Sequence, residues 1–244
     1  MLENVGIKAE VNTVVSNSLR ISSSVNPERL PGFSEGYFFV QDRASAIAAT
    51  ALGAEKGHRI VDACSAPGGK SFATAILSLD EGDIHSFDLH ESKLSLIRSG
   101  LERLGLKSIK VSTCDALTPS EELLGTADRV ICDAPCSGLG VLGKKPDLRY
   151  KDLSSVAELP ALQLDILIAS AKYLKVGGEM IYSTCTLNPE ENERVVENFI
   201  SNNTGFELVP FKVGTLSADG GMLTLLPHVH GTDGFFMAKI TRKS

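Results

Sequence analysis

The sequence has no run approaching about 18 consecutive apolar residues, which excludes a membrane-spanning helix. It opens without an apolar signal segment, and its 5 cysteines are an odd number with no CxxC spacing. These shortages set the expectation of reduced thiols and a cytoplasmic protein rather than a disulfide-stapled secreted one. Positive charge is short as well. The 24 Lys and Arg against 30 Asp and Glu leave a net charge of −6, which argues against gripping nucleic acid through global charge, though not against a local basic patch. No internal repeat or low-complexity tract occurs. With 244 residues, 43% of them hydrophobic and 22% charged, the chain can bury about 70% of its unfolded surface and needs no covalent staple. No exposed heptad or long apolar edge is evident, and a monomer is expected.

Residues 1–36 carry scattered Asn and Ser, two β-like runs (Asn12 to Val15 and Ser18 to Ser22) and the turn pairs Asn26-Pro27 and Pro31-Gly32. The piece is too small for a domain and reads as an arm packed on the rest of the chain. From Gln41 the texture becomes a regular alternation. Helical patterns cover Asp42 to Leu52, Gly69 to Leu79, Glu91 to Leu104, Glu158 to Leu174 and Glu190 to Ile200. Strand-like runs cover His58 to Ala63, Ile84 to Phe87, Ile109 to Ser112, Arg129 to Cys132, Glu179 to Ser183 (after the turn Lys175 to Gly178), Phe206 to Val209 and Phe235 to Ile240. Strands alternating with helices of this length predict an α/β fold, an open, mostly parallel sheet with helices on both faces.

In such a sheet ligands bind beyond the carboxyl ends of the strands. Those ends form a series here: DACSAPGGK (Asp62 to Lys70), Asp88, Asp115, DAPCSG (Asp133 to Gly138) and STC (Ser183 to Cys185). Pro67, Gly68 and Gly69 before a helix offer bare backbone and free amides to a ligand. A Gly pair alone is more often a tight connection, but Asp88, about 20 residues on at the next strand end, suits the two ribose hydroxyls of an adenosine. A phosphate-binding P-loop is incomplete, because Cys64 stands six positions before Lys70. A GxGxxG fingerprint is absent too, with Ala66 and Ser71 in the wrong places. An adenosine ligand without a phosphate chain fits, and S-adenosylmethionine is the commonest of these.

Cys136 and Cys185 sit at neighbouring strand ends beside that site. A lone Cys is ordinarily a small packing residue, and Cys64, Cys114 and Cys132 keep that reading as regards catalysis. Metal binding is disfavoured, since Cys132 and Cys136 are three residues apart with no histidine in register. Two thiols beside a methyl donor have a chemical rationale. Carbon 5 of a pyrimidine is too weak a nucleophile until a thiolate adds to carbon 6 and makes the ring an enamine. Such catalysis needs a nucleophilic Cys, an acid near the ring nitrogen and help in expelling the Cys, roles that Cys185, Asp133 and Cys136 can fill.

DACSAPGGK, DAPCSG with the following PDLRY, and STCTLNPEEN together resemble the Nop/Sun family of RNA 5-methylcytosine methyltransferases. SEGYFFVQDRAS and the terminal DGFFMAKI fit the same family, so the likeness runs from about residue 30 to the end. The resemblance implies a class I S-adenosylmethionine-dependent methyltransferase, Rossmann-like with a mostly parallel seven-stranded sheet. It implies Cys185 as the nucleophile on carbon 6 and Cys136 as the thiol that assists release. The DNA cytosine enzymes attack with the Cys of their PC motif instead, and the added STC points to the RNA type. The cofactor loop would be Cys64, Ser65, Ala66, Pro67, Gly68, Gly69 and Lys70, with Asp88 on the ribose, Asp115 near the adenine and Asp133 between cofactor and cytosine. Lys70 has the alternative of facing the base or an RNA phosphate. Residues 37–244 would be the catalytic domain and residues 1–36 the tail of an RRM-like segment, which bacterial members carry after a helical NusB-like RNA-binding domain.

The implied substrate is 16S ribosomal RNA. The alternatives are transfer RNA, or a non-catalytic RNA-binding or assembly module. Lys144, Lys145, Arg149 and Lys151, opposed by the single Asp147, lie just beyond DAPCSG. A charge run is often only a solvated face, but at the site mouth it suits RNA phosphates and the extrusion of a cytidine. Tyr37, Phe38 and Phe39 are read as packing rather than base stacking, and His228 and His230 are given no role.

Overall fold

A computed structural model of the chain describes residues 1–21, 25–150, 152 and 156–244. Five parallel strands run through its centre: β3 (Arg59–Asp62), β4 (Asp83–Asp88), β5 (Ile109–Thr113), β6 (Ala127–Asp133) and β7 (Leu174–Thr184). β12 (Phe235–Arg242) lies antiparallel beside β7, and β11 (Met222–Leu225) pairs its outer edge. The sheet order is β11-β12-β7-β6-β3-β4-β5, and β8 (Phe206–Leu208) pairs the far end of β12 as an eighth strand beyond the seven expected. Two hairpins, β1 (Ala9–Val11) with β2 (Leu19–Ile21) and β9 (Phe211–Val213) with β10 (Leu216–Ala218), stand apart from it.

The central strands are apolar on both faces because helices cover both. Alternate residues divide between two cores, since successive strand side chains point to opposite sides. Ile60, Ile84, Ile131, Ile181 and Met237 pack with α1 (Arg43–Ala51), α2 (Gly69–Leu77) and α3 (Glu91–Leu104). Val61, Phe87, Val130, Cys132, Tyr182 and Phe236 pack with α4 (Leu159–Ala171) and α5 (Glu193–Asn202). α1 is Ala-rich because it is nearly all buried, and the Asp42 side chain caps it by accepting from Ala44 N at 2.8 Å.

Four sequence-based boundaries need correction. Asn12 to Val15 is not a strand. The Asn12 side chain accepts from the amides of Val14 and Val15 at 2.9 and 3.2 Å, an Asx turn, while both valines sink into the core. The helix expected to reach Leu174 stops at Ala171, and Leu174 opens β7. Lys175 to Gly178 does not end before that strand but lies within it. A Cβ on Gly178 would stand 2.8 Å from Ala127 O, so glycine lets β6 come close where the β6–β7 register shifts. The last helix begins at Glu193, after a 3-10 turn over Pro189–Glu191. The short pieces β9, β10 and β11 and α6 (Pro227–His230) carry no periodicity that the sequence reading detected.

Residues 1–36 are carried on this body. Val14 and Val15 join the core beside Phe211 and Val213, and Arg103 of α3 lies 3.8 Å over the Phe33 ring while donating to the carbonyls of Phe33 and Phe38. Phe39 meets Phe72 edge-on at 5.8 Å, the packing expected of it, whereas Tyr37 is exposed.

Candidate active site

All five parallel strands deliver their carboxyl ends to one edge of the sheet, and the side chains there fall into two groups. At β3 the chain leaves Asp62, 1% exposed, and turns through Cys64 to Gly68 into α2. Ser65 anchors the turn to β4, its amide and hydroxyl both donating to Phe87 O at 2.7 and 2.8 Å. The Gly68 backbone, at φ +105°, opens α2 with no side-chain cap, so the first-turn amides are left to a ligand. A cleft of about 260 Å³ lies against this turn, lined by Val40, Gln41, Asp42, Ser45, Asp62, Cys64 to Pro67, Gly69, Lys70 and Asp133.

Two buried polar atoms among its lining residues lack a hydrogen-bond partner, Gln41 Nε2 and Asp62 Oδ1. Buried polar groups are seldom left orphaned, so a polar ligand is what this cleft is built for. A donor amide, a carboxylate oxygen and uncapped helix amides suit a zwitterionic amino-acid group. Asp62 Oδ2 accepts from Ser71 at 2.6 Å, yet burial pushes its carboxyl from 3.8 up to about 7, against the lowering by Ser71 and Lys70. Asp88, 8% exposed at the end of β4, accepts from His90 N at 3.1 Å and has Lys93 Nζ at 3.5 Å. Asp115 lies two residues beyond β5, exposed, its carboxylate turned onto Leu117 N at 2.9 Å. Neither acid lines the cleft.

The second group belongs to β6 and β7. Lys70 Nζ reaches across to Asp133 at 2.6 Å, and Asp133 also accepts from Ser183 Oγ at 2.6 Å. The Lys70 ammonium is buried and lies 5.4 Å from the Phe235 ring, so it points at this acid. Cys136 and Cys185 meet with their Sγ atoms 3.1 Å apart, both half-buried and unbonded. The shared hydrogen bond divides them. Accepting from Cys136, the Cys185 thiol is held below its usual range despite burial, helped by Lys70 and opposed by Asp133. Its partner is pushed far up by that same bond and by burial. The other cysteines differ, since burial raises Cys64 well above the ordinary thiol value and Cys132 up to about 12. Among the described residues no group of three or more His, Cys, Asp or Glu is placed to hold a metal.

The loops carrying the thiols are locked together. Gly140 N donates to Cys185 O and Gly234 N to Gly140 O, each at 2.9 Å, and a Cβ on Gly140 would stand 2.0 Å from Gly234 O. Of the basic run, Lys144 is held by Asp42 and, at 2.7 Å, by Asp233, so its charge is largely neutralised. Lys145 and Arg149 are exposed beside it, and Lys151 lies outside the described residues. Sequence reasoning gave no role to Gln41, Ser183, Glu191 or Asp62. Asp62 had a usable signal, standing at a strand end as Asp88 and Asp133 do.

The sheet order and strand-end cleft define a class I S-adenosylmethionine-dependent methyltransferase fold. A family profile described as 16S rRNA methyltransferase RsmB/F matches residues 49–241, and the chain belongs to that family. The probable ribosomal RNA small subunit methyltransferase B of Synechocystis sp. is 41% identical over 221 residues, covering 88% of this chain and 50% of that protein. Its namesake in Bacillus subtilis is 40% identical over 220 residues, 86% of this chain and 49% of that one. The chain thus spans about half the length of these curated relatives. Among solved structures, NSun6 from Pyrococcus horikoshii with SFG matches at a TM-score of 0.81 and 32% identity, over 90% of this chain and 57% of that one.

Proposed function

We propose that the chain is the catalytic part of an RNA (cytosine-5)-methyltransferase acting on 16S ribosomal RNA through a Cys185 adduct at carbon 6. The observation that carries the reading is the thiol pair, with Cys185 the more acidic member, beside a Lys70–Asp133 pair at the edge of the cofactor cleft. Residues 37–244 would form the catalytic domain and residues 1–36 its arm.

The cleft residues Cys64 to Lys70, Gln41 and Asp62 would hold S-adenosylmethionine, with Asp88 toward its ribose and Asp115 toward its adenine. Bound there, that cofactor supplies an electrophilic methyl group. Cys185, as thiolate, adds to carbon 6 of the cytosine. Asp133, sharing the Lys70 proton and braced by Ser183, is the acid for the ring nitrogen, where negative charge builds as sulfur adds. Carbon 5 then carries the nucleophilic character that the free ring lacks. After methylation the carbon-5 proton is lost and Cys185 leaves as thiolate, accepting again from Cys136, which thereby favours release. Lys145 and Arg149 at the mouth suit the phosphates of an extruded strand, with Lys151 of the same run.

The test is a covalent trap with RNA carrying 5-fluorocytidine, since fluorine cannot leave carbon 5 as a proton does. Incubated with S-adenosylmethionine and run on a denaturing gel, the protein is expected to form an adduct with 16S RNA, none with matched DNA, and none as Cys185→Ala. An adduct that survives Cys185→Ala refutes the nucleophile assignment, and one formed on DNA refutes the substrate class. Transfer RNA is the competing arm.

A further inference from the structure

Strand pairing brings the two thiol-bearing loops side by side but does not set the distance between the sulfurs. The last contact before them is Ala134 N to Ser183 O at 3.0 Å, and the next is Gly140 N to Cys185 O. Between these lies Glu191, a carboxylate with no solvent exposure. One of its oxygens accepts from Ser137 N at 2.8 Å and Gln163 Nε2 at 3.0 Å. The other accepts from Asn188 Nδ2 at 3.1 Å and Thr186 Oγ1 at 3.5 Å. Ser137 follows Cys136 and Thr186 follows Cys185, and their hydroxyls bond each other at 2.8 Å. Gln163 also donates to Pro135 O at 2.9 Å, on the other side of Cys136, and the Glu191 carbonyl accepts from Tyr182.

We propose that Glu191 is a positioning residue for the thiol pair, a single buried acceptor that ties down the residue following each cysteine and so fixes the separation at which Cys136 donates to Cys185. The inference rests on Cys185 as the attacking thiol. Stability alone is a poor reason for the carboxylate, because a buried ionic group surrounded by polar partners is often matched or bettered by apolar packing. What an apolar pair cannot do is accept from both loops at once. The groups that bear on Cys185 are Cys136 on the β6 loop, Asp133 on β6 and Lys70 on α2. Replacing Glu191 leaves all three in place, so a change in Cys185 reactivity reports the geometry.

The experiment is alkylation by iodoacetamide across pH, with Cys185 and Cys136 followed separately by peptide mass mapping, on wild type, Glu191→Gln and Thr186→Val. Gln keeps the volume but turns an NH2 toward donors, which breaks one arm of the clamp. The expected result is a Cys185 midpoint raised by about one unit and an alkylation rate at neutral pH about tenfold lower in Glu191→Gln. Thr186→Val, which removes only the outer arm, should shift both in the same direction by less. A folded Glu191→Gln with the wild-type profile overturns the proposal. Should that variant not fold, an unchanged profile in Thr186→Val overturns it equally. Wild-type protein that shows the shifted Cys185 but traps no 5-fluorocytidine RNA would instead refute the proposed function, leaving the clamp intact.

Discussion

Asp62 should make the folded protein lose stability as the pH rises, opposite to the usual behaviour of a paired carboxylate. It ends β3 almost without exposure, and burial outweighs the Ser71 hydrogen bond and the Lys70 charge to push its carboxyl from 3.8 up to about 7. A folded pKa above the unfolded one means that the folded chain keeps the proton longer. Its stabilising effect is therefore complete below the unfolded value and is lost as the pH passes through the folded one. The gap of about 3 units is worth about 4 kcal/mol in all, of which about 3 kcal/mol falls between about pH 4.5 and pH 8. Asp62→Asn keeps an acceptor for Ser71 and removes the ionisation. Urea unfolding of the cofactor-free proteins, followed by far-UV circular dichroism because the chain has no Trp, compares the two at both ends of that range. The advantage of the variant over wild type should grow by about 3 kcal/mol from the acid to the basic end, whatever constant offset the new amide introduces. Parallel stability curves for the two proteins would refute the reasoning.

Gly140→Ala should destabilise by about 2–4 kcal/mol, because the new Cβ meets the Gly234 carbonyl and the Cys185 carbonyl, backbone that cannot step aside; thermal melts measure it. Removing Lys145 and Arg149 together should weaken RNA binding most at low salt and flatten the slope of log K against log salt by about 1–2. Lys144→Ala should change that slope less, since Asp42 and Asp233 already hold its ammonium. Filter binding across a salt series would separate the two, and equal slopes for all three proteins would remove the basic run from the interface.

The repeating part of the fold was legible in the sequence. Glu91 to Leu104 has the expected bounds because Leu94 and Ile97 recur at helical spacing on a buried face and Gly105 closes the helix in the left-handed region. β3, β4, β5 and β6 lie within two residues of their expected limits, being short apolar runs stopped by polar strand ends. The reading failed where a local signal had two meanings. Gly177-Gly178 looks like a turn, and it is the point inside β7 where β6 needs room. Asn12 to Val15 looks like a strand, and an Asn side chain turns it instead. In the site, residue types at strand ends were readable, while partnership was not. Nothing in STCTLNPEEN says which of its two adjacent acids is buried, and Glu191, not Glu190, is the one enclosed by donors. Lys144 looks like a phosphate ligand until Asp42 and Asp233, about 100 and 90 residues away in sequence, fold against it.

The geometry also explains why one short segment serves both halves of the proposed reaction. The turn from Asp62 to Gly69 faces the cofactor cleft, and Cys136 and Cys185 stand over the adjoining strands. Lys70, next in sequence to the turn, is the only residue of α2 that ion-pairs across to β6 among the described residues. Its ammonium lowers Cys185 and Asp62 alike and binds Asp133, which raises both. The charge of that one pair is thus felt in the cleft and at the thiol together. A substitution there cannot act on one alone, whereas Asp62 on the cofactor side and Glu191 on the thiol side stand outside the pair and can be varied separately. That separation is what allows the pH dependence of folding and the pH dependence of thiol alkylation to be assigned to different carboxylates of one site.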